Sequence, residues 1–271
     1  MNKVGLISGD GNLPLYIGKT LSNKNFDVTY LLLNSVGNKN IYKKEKHIEI
    51  DILSIKKIIN ILLKNDLQKI IFAGSIRRPS IYDLGFDLET IKLAKNLLLE
   101  KKGDNNLLIA IKKYLEKNGF KFLNWTKYCS EIFSTEKNLN SIFPSKIANQ
   151  NFIKAKSIYK QFKKLDVGQS IIIQNQLVLG LEAIEGTDKL IERCASYKRK
   201  GDKGILVKFT KKNQSNIIDI PLIGLDTIKN IKKYDYEGIF LEKDKCLIIN
   251  KEQIIDYANK NKIFISCMVL S

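Results

Sequence analysis

Histidine is almost missing from this chain: among 271 residues there is one, His47. A single imidazole excludes multi-histidine metal centres, and it leaves a Ser-His-Asp or Cys-His mechanism only if His47 itself takes part. Cysteine is scarce too. Cys129, Cys194, Cys246 and Cys267 lie far apart and never form a C-x-x-C pair, so neither a zinc ribbon nor a dense disulfide framework fits, and buried reduced thiols are expected. A bound metal would then be held by carboxylates and phosphate oxygens, the donor set of magnesium or manganese. No apolar run approaches the roughly 18 residues of a membrane-spanning helix. The opening MNKVGLISG has one lysine and a glycine-broken strand where a secretory leader would have a long apolar core, which points to a cytoplasmic protein.

Negative charge is the other shortage. Against 46 Lys and Arg there are 28 Asp and Glu, a formal net charge of +18. Such a surface suits a partner with phosphates: nucleic acid, an anionic membrane or a nucleotide. The lysines are scattered through a chain rich in isoleucine and asparagine, so compositional drift on a solvated surface accounts for the charge equally well. No basic face with interleaved aromatics is visible, which counts against a nucleic-acid-binding module.

What is present is patterned. With 44% hydrophobic residues, the chain has room for two domains with a core each. KVGLIS, FDVTYLLL and KIIFAG read as strands, and LPLYIGKTLSNK and SIKKIINILLKN between them as helices. This βαβαβ run predicts a parallel sheet with right-handed crossovers. The helices LETIKLAKNLLLE and NNLLIAIKKYLEKNG follow, and FKFLNW adds a strand. Periodicity is lost from Glu136 to Lys146, in EKNLNSIFPSK, which reads as the linker. Beyond it come a helix IKAKSIYKQFKKL, paired strands QSIIIQ and LVLGLEAI around Asn-Gln, a helix DKLIERCASY and a strand GILVKF. A helix from Asp226 to Tyr234, a hairpin GIFLEKDKCLIIN, a helix KEQIIDYANKN and a strand IFISCMV complete the pattern. The expectation is two α/β domains: residues 1–136 as an N-terminal Rossmann-like parallel sheet, and 146–271 as a C-terminal mixed-sheet α/β domain.

The loop GLISGDGNLPLYIG invites a dinucleotide reading. In a Rossmann fingerprint a third glycine lets helix and strand pack closely, and an acid roughly 20 residues on binds the ribose. Here Gly9 and Gly11 fit the first two glycines, but Pro14 stands in the third place and the second strand ends in Asn34. A nicotinamide- or flavin-dependent oxidoreductase is therefore the alternative, disfavoured on both counts. Proline suits a first helical turn. Gly9-Asp10-Gly11-Asn12 can be a strand-to-helix turn whose N–H groups face an anion, or a structural turn with no ligand.

Other constellations carry more chemistry. FAGSIRRPS puts Arg77 and Arg78 after a strand, at the carboxyl edge of the expected sheet, where arginine makes bidentate phosphate contacts or is simply solvated. In KKGD, residues 101–104, Gly103 and Asp104 serve as helix stop and cap, or offer a carboxylate beside a lysine. LEAIEGTD brings Glu182, Glu185, Thr187 and Asp188 into one strand-to-helix turn, able to hold magnesium or orient water; a helix cap and a solvated strand residue are the plain alternative. In KFTKKNQSNIIDIPLIG, Lys208 and Lys211 precede Asp219, an acid among isoleucines ahead of Pro221. Such an acid can bind a cation or take a raised pKa, and it can also be an ordinary turn residue.

In order along the chain stand G-L-I-x-G-x-G-x-L-P, F-A-G-x-x-x-R-P, K-G-D, L-D-x-G-Q, E-A-x-E-G-T-D and D-x-P-x-I-G. Together they resemble the LpxI family of UDP-2,3-diacylglucosamine pyrophosphatases, enzymes of lipid A biosynthesis in Gram-negative bacteria. The resemblance implies hydrolysis of UDP-2,3-diacylglucosamine to UMP and 2,3-diacylglucosamine 1-phosphate (lipid X), a magnesium requirement, and two α/β domains with the substrate between them. It implies Asp219 as the essential acid, with Glu185 and Asp188 beside it in catalysis. Substrate contacts carried over are Gly9, Gly11, Asn12, Leu13, Pro14, Arg78, Asp104, Gly186, Thr187 and Lys208. Reversible attachment to the anionic inner-membrane surface follows from the substrate and the charge, and the resemblance carries a suggestion of a homodimer. Three departures stand out: Asn105 where the family commonly has a second Asp after K-G-D, Ile217 where an arginine commonly precedes the D-x-P acid, and Asp10 where a glycine is frequent. Lys211 or Arg78 is the expected substitute for the missing arginine.

Overall fold

Strands with both faces covered read as unbroken apolar runs, and two such runs lie at the centre of the first unit. The computed structural model describes residues 2–52, 54–76, 105–162, 168–210 and 220–269. The expected helix LETIKLAKNLLLE and the residues Arg77, Arg78, Asp104, Lys211, Ile217 and Asp219 lie outside them. β1 (Asn2–Ser8) is buried from Val4 onward and β2 (Phe26–Leu33) from Val28 onward. With β3 (His47–Ile50), β4 (Lys69–Ala73) and β5 (Lys121–Phe122) they form an all-parallel sheet in the order β3-β2-β1-β4-β5. The accompanying helices are α1 (Leu13–Ser22), with Pro14 in its first turn, α2 (Ile55–Lys64) and α3 (Asn105–Lys117). Strand order reverses between β1 and β4, the switch point at whose carboxyl ends open sheets bind ligands. The edge strand β3 was not anticipated: HIEI has one buried residue, Ile50, and too little apolar character to stand out. His47 sits there, exposed, its Nδ1 2.9 Å from the Glu45 carbonyl.

The two compact units divide between Ser130 and Glu131. The second holds α4 (Lys146–Phe162), β6 (Ser170–Gln174), β7 (Leu177–Leu181), α5 (Thr187–Ala195), β8 (Ile205–Lys208), β9 (Leu222–Ile223), α6 (Leu225–Lys233), β10 (Gly238–Glu242), β11 (Leu247–Ile248), α7 (Lys251–Lys260) and β12 (Phe264–Met268). Its main sheet runs β12-β10-β8-β6-β7, with β8, β10 and β12 parallel and β6 antiparallel to both neighbours. Asn175 and Gln176 join β6 to β7 with φ of 50° and 59°, the left-handed pair that a two-residue hairpin needs. Along β6 the side chains alternate between two cores. Ile172 packs with Leu190, Ile191, Ile228 and Ile254 on one face, and Ile171 and Ile173 pack with Phe152, Tyr159 and Phe264 on the other.

Two expectations are corrected here. GIFLEKDKCLIIN is not a hairpin: β10 pairs with β8 and β12, whereas β11 runs parallel to β9 in a separate two-stranded sheet. The apolar spacing was right, but Lys243-Asp244-Lys245 is a crossing between sheets rather than a return. The stretch from Glu136 to Lys146 belongs to the second unit. The Leu139 N–H donates to the Ile265 carbonyl, the Cys267 N–H to the Lys137 carbonyl, and buried Asn140 bonds Ile263 and Ile265. It lies along the β12 edge and covers it, which explains a backbone that is ordered without being periodic. α4 likewise begins earlier than its apolar pattern, because the Ser145 hydroxyl caps the Ala148 N–H at 3.0 Å.

Candidate active site

An ammonium loses its hydration when buried, so lysine seldom goes inside without a carboxylate to meet it. Lys208, at the end of β8, is 6% exposed. Its Nζ donates to the Thr187 hydroxyl at 2.5 Å, and among the described residues no carboxylate lies within ion-pair reach of it. Thr187 opens α5 behind Gly186, which takes φ +81° as the N-cap, a backbone that costs glycine nothing. The first-turn N–H groups of α5 and the Lys208 ammonium therefore converge, and both favour an anion.

The Thr187 hydroxyl is fully used. It donates to Glu182 Oε1 at 3.2 Å and accepts from Lys208, which leaves Ser170 Oγ, 3.2 Å away and buried, as a second donor to it. Glu182 is itself held. Its Oε2 accepts the Gln169 N–H at 3.0 Å, its own N–H donates to the Ser170 carbonyl, and its carbonyl accepts from Gly168. Glu185 turns the other way, to Arg193 at 2.6 Å. Burial works against its charge, but the hydrogen bonds from Arg193 and the Ala183 N–H prevail and hold its carboxyl below the usual range. Asp188 is exposed in the first turn of α5, where its charge complements the helix dipole.

The segment 211–219, which carries Lys211 and Asp219, lies outside the described residues, but its flanks are held by the end of β10 on one side and by the start of β11 on the other. Glu242 Oε2 accepts the Thr210 N–H at 2.7 Å and the Thr210 hydroxyl at 2.6 Å. On the other side, the Leu247 N–H donates to the Pro221 carbonyl at 2.8 Å.

In the first unit the glycine loop sits at the switch point. Asp10 exchanges backbone hydrogen bonds with Ser75, tying the ends of β1 and β4 together. A Cβ on Gly9 would run into the Ser75 carbonyl, so Gly9 answers a close backbone approach. Asp10, at the position where the family often has glycine, accepts the Gly37 N–H at 2.7 Å. Gly11 has φ +93° and is exposed with Asn12, while Leu13 and Pro14 are buried. Packing thus explains Gly9, Leu13 and Pro14, and leaves Gly11 and Asn12 at the surface.

Among the described residues no three His, Cys, Asp or Glu side chains come together to hold a metal. Glu182 and Glu185 are engaged with N–H, O–H and guanidinium donors, so the described carboxylates of this turn do not fit a magnesium site. All four cysteines are buried, and burial pushes the thiols of Cys246 and Cys267 up to about 12. No helix among the described residues is long and apolar enough to cross a membrane.

The LpxI N-terminal domain model matches residues 3–132, and the LpxI C-terminal domain model matches residues 135–266. The chain belongs to the LpxI family. A relative from Caulobacter vibrioides named UDP-2,3-diacylglucosamine pyrophosphatase LpxI is 26% identical over 272 residues, an alignment spanning 98% of this chain and 97% of that protein. The oxidoreductase alternative finds no support in these comparisons. Among the expected LpxI site residues, the structure brings Thr187, Gly186 and Lys208 together, directs Glu185 to Arg193 and leaves Asp188 in solvent. The neighbourhood gains Ser170 and Arg193, which the sequence did not single out, and Glu182, which the sequence placed in the acidic turn but not among the catalytic or substrate-binding residues. Glu182 opens the E-A-x-E-G-T-D motif and was legible there; Ser170 sits in an apolar strand with nothing to mark it.

Proposed function

We propose that this chain hydrolyses the pyrophosphate linkage of UDP-2,3-diacylglucosamine, releasing UMP and 2,3-diacylglucosamine 1-phosphate. The observation that supports it most is the buried Lys208 ammonium beside Thr187 at the N-terminus of α5, in a chain related over nearly its whole length to a protein of that name. A pyrophosphate repels nucleophiles by its own charge, so a cation and helix N–H groups already in place lower the barrier to attack. In this proposal Lys208, Thr187 and Gly186 receive a phosphoryl group, and Asp219 orients a water and takes its proton. The water oxygen bonds to one phosphorus, the bridging P–O bond breaks, and the bridging oxygen leaves with the other phosphate. Gly11, Asn12, Arg78 and Asp104 remain proposed substrate contacts. Magnesium belongs to the proposal only through residues outside the described ones, and no step above passes through it. Reversible binding to anionic membrane surfaces and a homodimer are part of the same proposal.

Purified protein incubated with UDP-2,3-diacylglucosamine and magnesium is expected to yield UMP and acylated sugar phosphate in equal amounts, read by mass spectrometry, while Asp219→Asn, folded, yields almost none. Absence of cleavage by the wild type overturns the substrate assignment, and near-normal turnover by Asp219→Asn overturns the role of that acid.

A further inference from the structure

A hydroxyl has one proton, and where it points decides what the oxygen can accept. At Thr187 the direction is set by Glu182. The carboxylate offers acceptors only, one oxygen fixed by the Gln169 N–H and the other facing Thr187 Oγ1 at 3.2 Å, so the hydroxyl proton goes to Glu182 and both lone pairs turn to Lys208 and Ser170. We infer that Glu182 is a positioning residue, which through the Thr187 hydroxyl holds the Lys208 ammonium at the N-terminus of α5, where its remaining N–H donors, without a partner among the described residues, receive a ligand anion. This rests on the anion-binding role proposed for Lys208.

The Glu182 carboxylate also has little freedom to do otherwise. Its peptide is bonded on both sides, to Ser170 and Gly168, and a Cβ on Gly168 would run into the Glu182 backbone. The L-D-x-G-Q motif, which has no part in the hydrolysis as proposed, thereby acquires one: its last two residues, Gly168 and Gln169, clamp the acid that orients the threonine. Gln at position 182 would keep the shape but present an amide N–H to one of two donors, turning the Thr187 proton away from its present direction.

The test is a double-mutant cycle on kcat/KM for UDP-2,3-diacylglucosamine, with thermal unfolding alongside. Glu182→Gln and Thr187→Val are each expected to lose about tenfold, the double variant no more than either single one, and Thr187→Ser, which keeps the hydroxyl, to stay near wild type. Wild-type kcat/KM in Glu182→Gln overturns the inference, as does a double variant whose loss is the product of the two. A fall of more than about 5 °C in the Glu182→Gln midpoint also overturns it, by making the role structural. Lys208→Met separates the two levels: if it retains wild-type kcat/KM the anion reading itself fails, whereas loss there without loss in Glu182→Gln removes only the positioning role.

Discussion

Replacing Lys208 by methionine should move activity and stability in opposite directions. The side chains are similar in length, so the core around β8 keeps its packing while the ammonium disappears. A charge-assisted hydrogen bond is worth about 1.5–3 kcal/mol. Losing one such contact to a phosphoryl oxygen in the transition state corresponds to a fall of about 10- to 150-fold in kcat/KM. The folded protein loses the bond to Thr187, of the same order, but is relieved of a buried ammonium whose desolvation costs several kcal/mol with no carboxylate opposite among the described residues. The net is a gain of roughly 0–2 kcal/mol, or about 2–4 °C in Tm for each kcal/mol. Steady-state kinetics and a thermal melt on the same preparation measure both. Unchanged kcat/KM, or a loss of more than about 2 kcal/mol of stability, would refute the reasoning, because Lys208 would then be a structural lysine that the core depends on.

Other expectations can be checked separately. A methyl on Gly18 would run into the hydroxyl of Tyr30, so Gly18→Ala should lower stability by about 1–3 kcal/mol in urea unfolding. Tyr30→Phe, which deletes a buried hydroxyl lacking a partner among the described residues, should be neutral or slightly stabilising. The Glu185 carboxyl, lowered by Arg193, contributes to stability above the usual carboxylate range, and that contribution is lost as pH falls from there through its lowered value in the folded protein. Urea midpoints of wild type and Glu185→Gln should therefore differ near pH 6 and converge below about pH 4; a gap that widens in acid would reverse the assignment. Co-sedimentation with vesicles of anionic lipid should be strong at low salt and weak at high salt, as the proposed electrostatic attachment through a net charge of +18 predicts. Partitioning that ignores salt would argue against electrostatic attachment.

Periodic elements were legible because their residues are neighbours. β1, β2, β4, β6 and β8 are apolar runs of ordinary length, and Pro14 and the Asn175-Gln176 pair mark turns by local backbone rules. Legibility failed where partners are distant. β9 and β11 are two residues each and are strands only through one another. Lys137, Leu139 and Asn140 look like linker until β12 supplies their hydrogen bonds. The same holds for the site. E-A-x-E-G-T-D announced Gly186 and Thr187, and the family resemblance named Lys208, but composition alone leaves it one of three lysines in K-F-T-K-K, and its burial sets it apart. Glu182, Thr187, Ser170 and Lys208 come from two strand ends, a strand start and a helix start, and no spacing in the chain reveals that they share one hydroxyl. The sequence left the glycine loop open between an anion site and a structural turn, and the close approach of Ser75 accounts for Gly9 without a ligand.

Cleavage of UDP-2,3-diacylglucosamine in water enriched in oxygen-18 tests the central claim most directly. Hydrolysis predicts one labelled oxygen per turnover, in either UMP or the acylated sugar phosphate and never shared between them. Products without label, or no products at all, would contradict it.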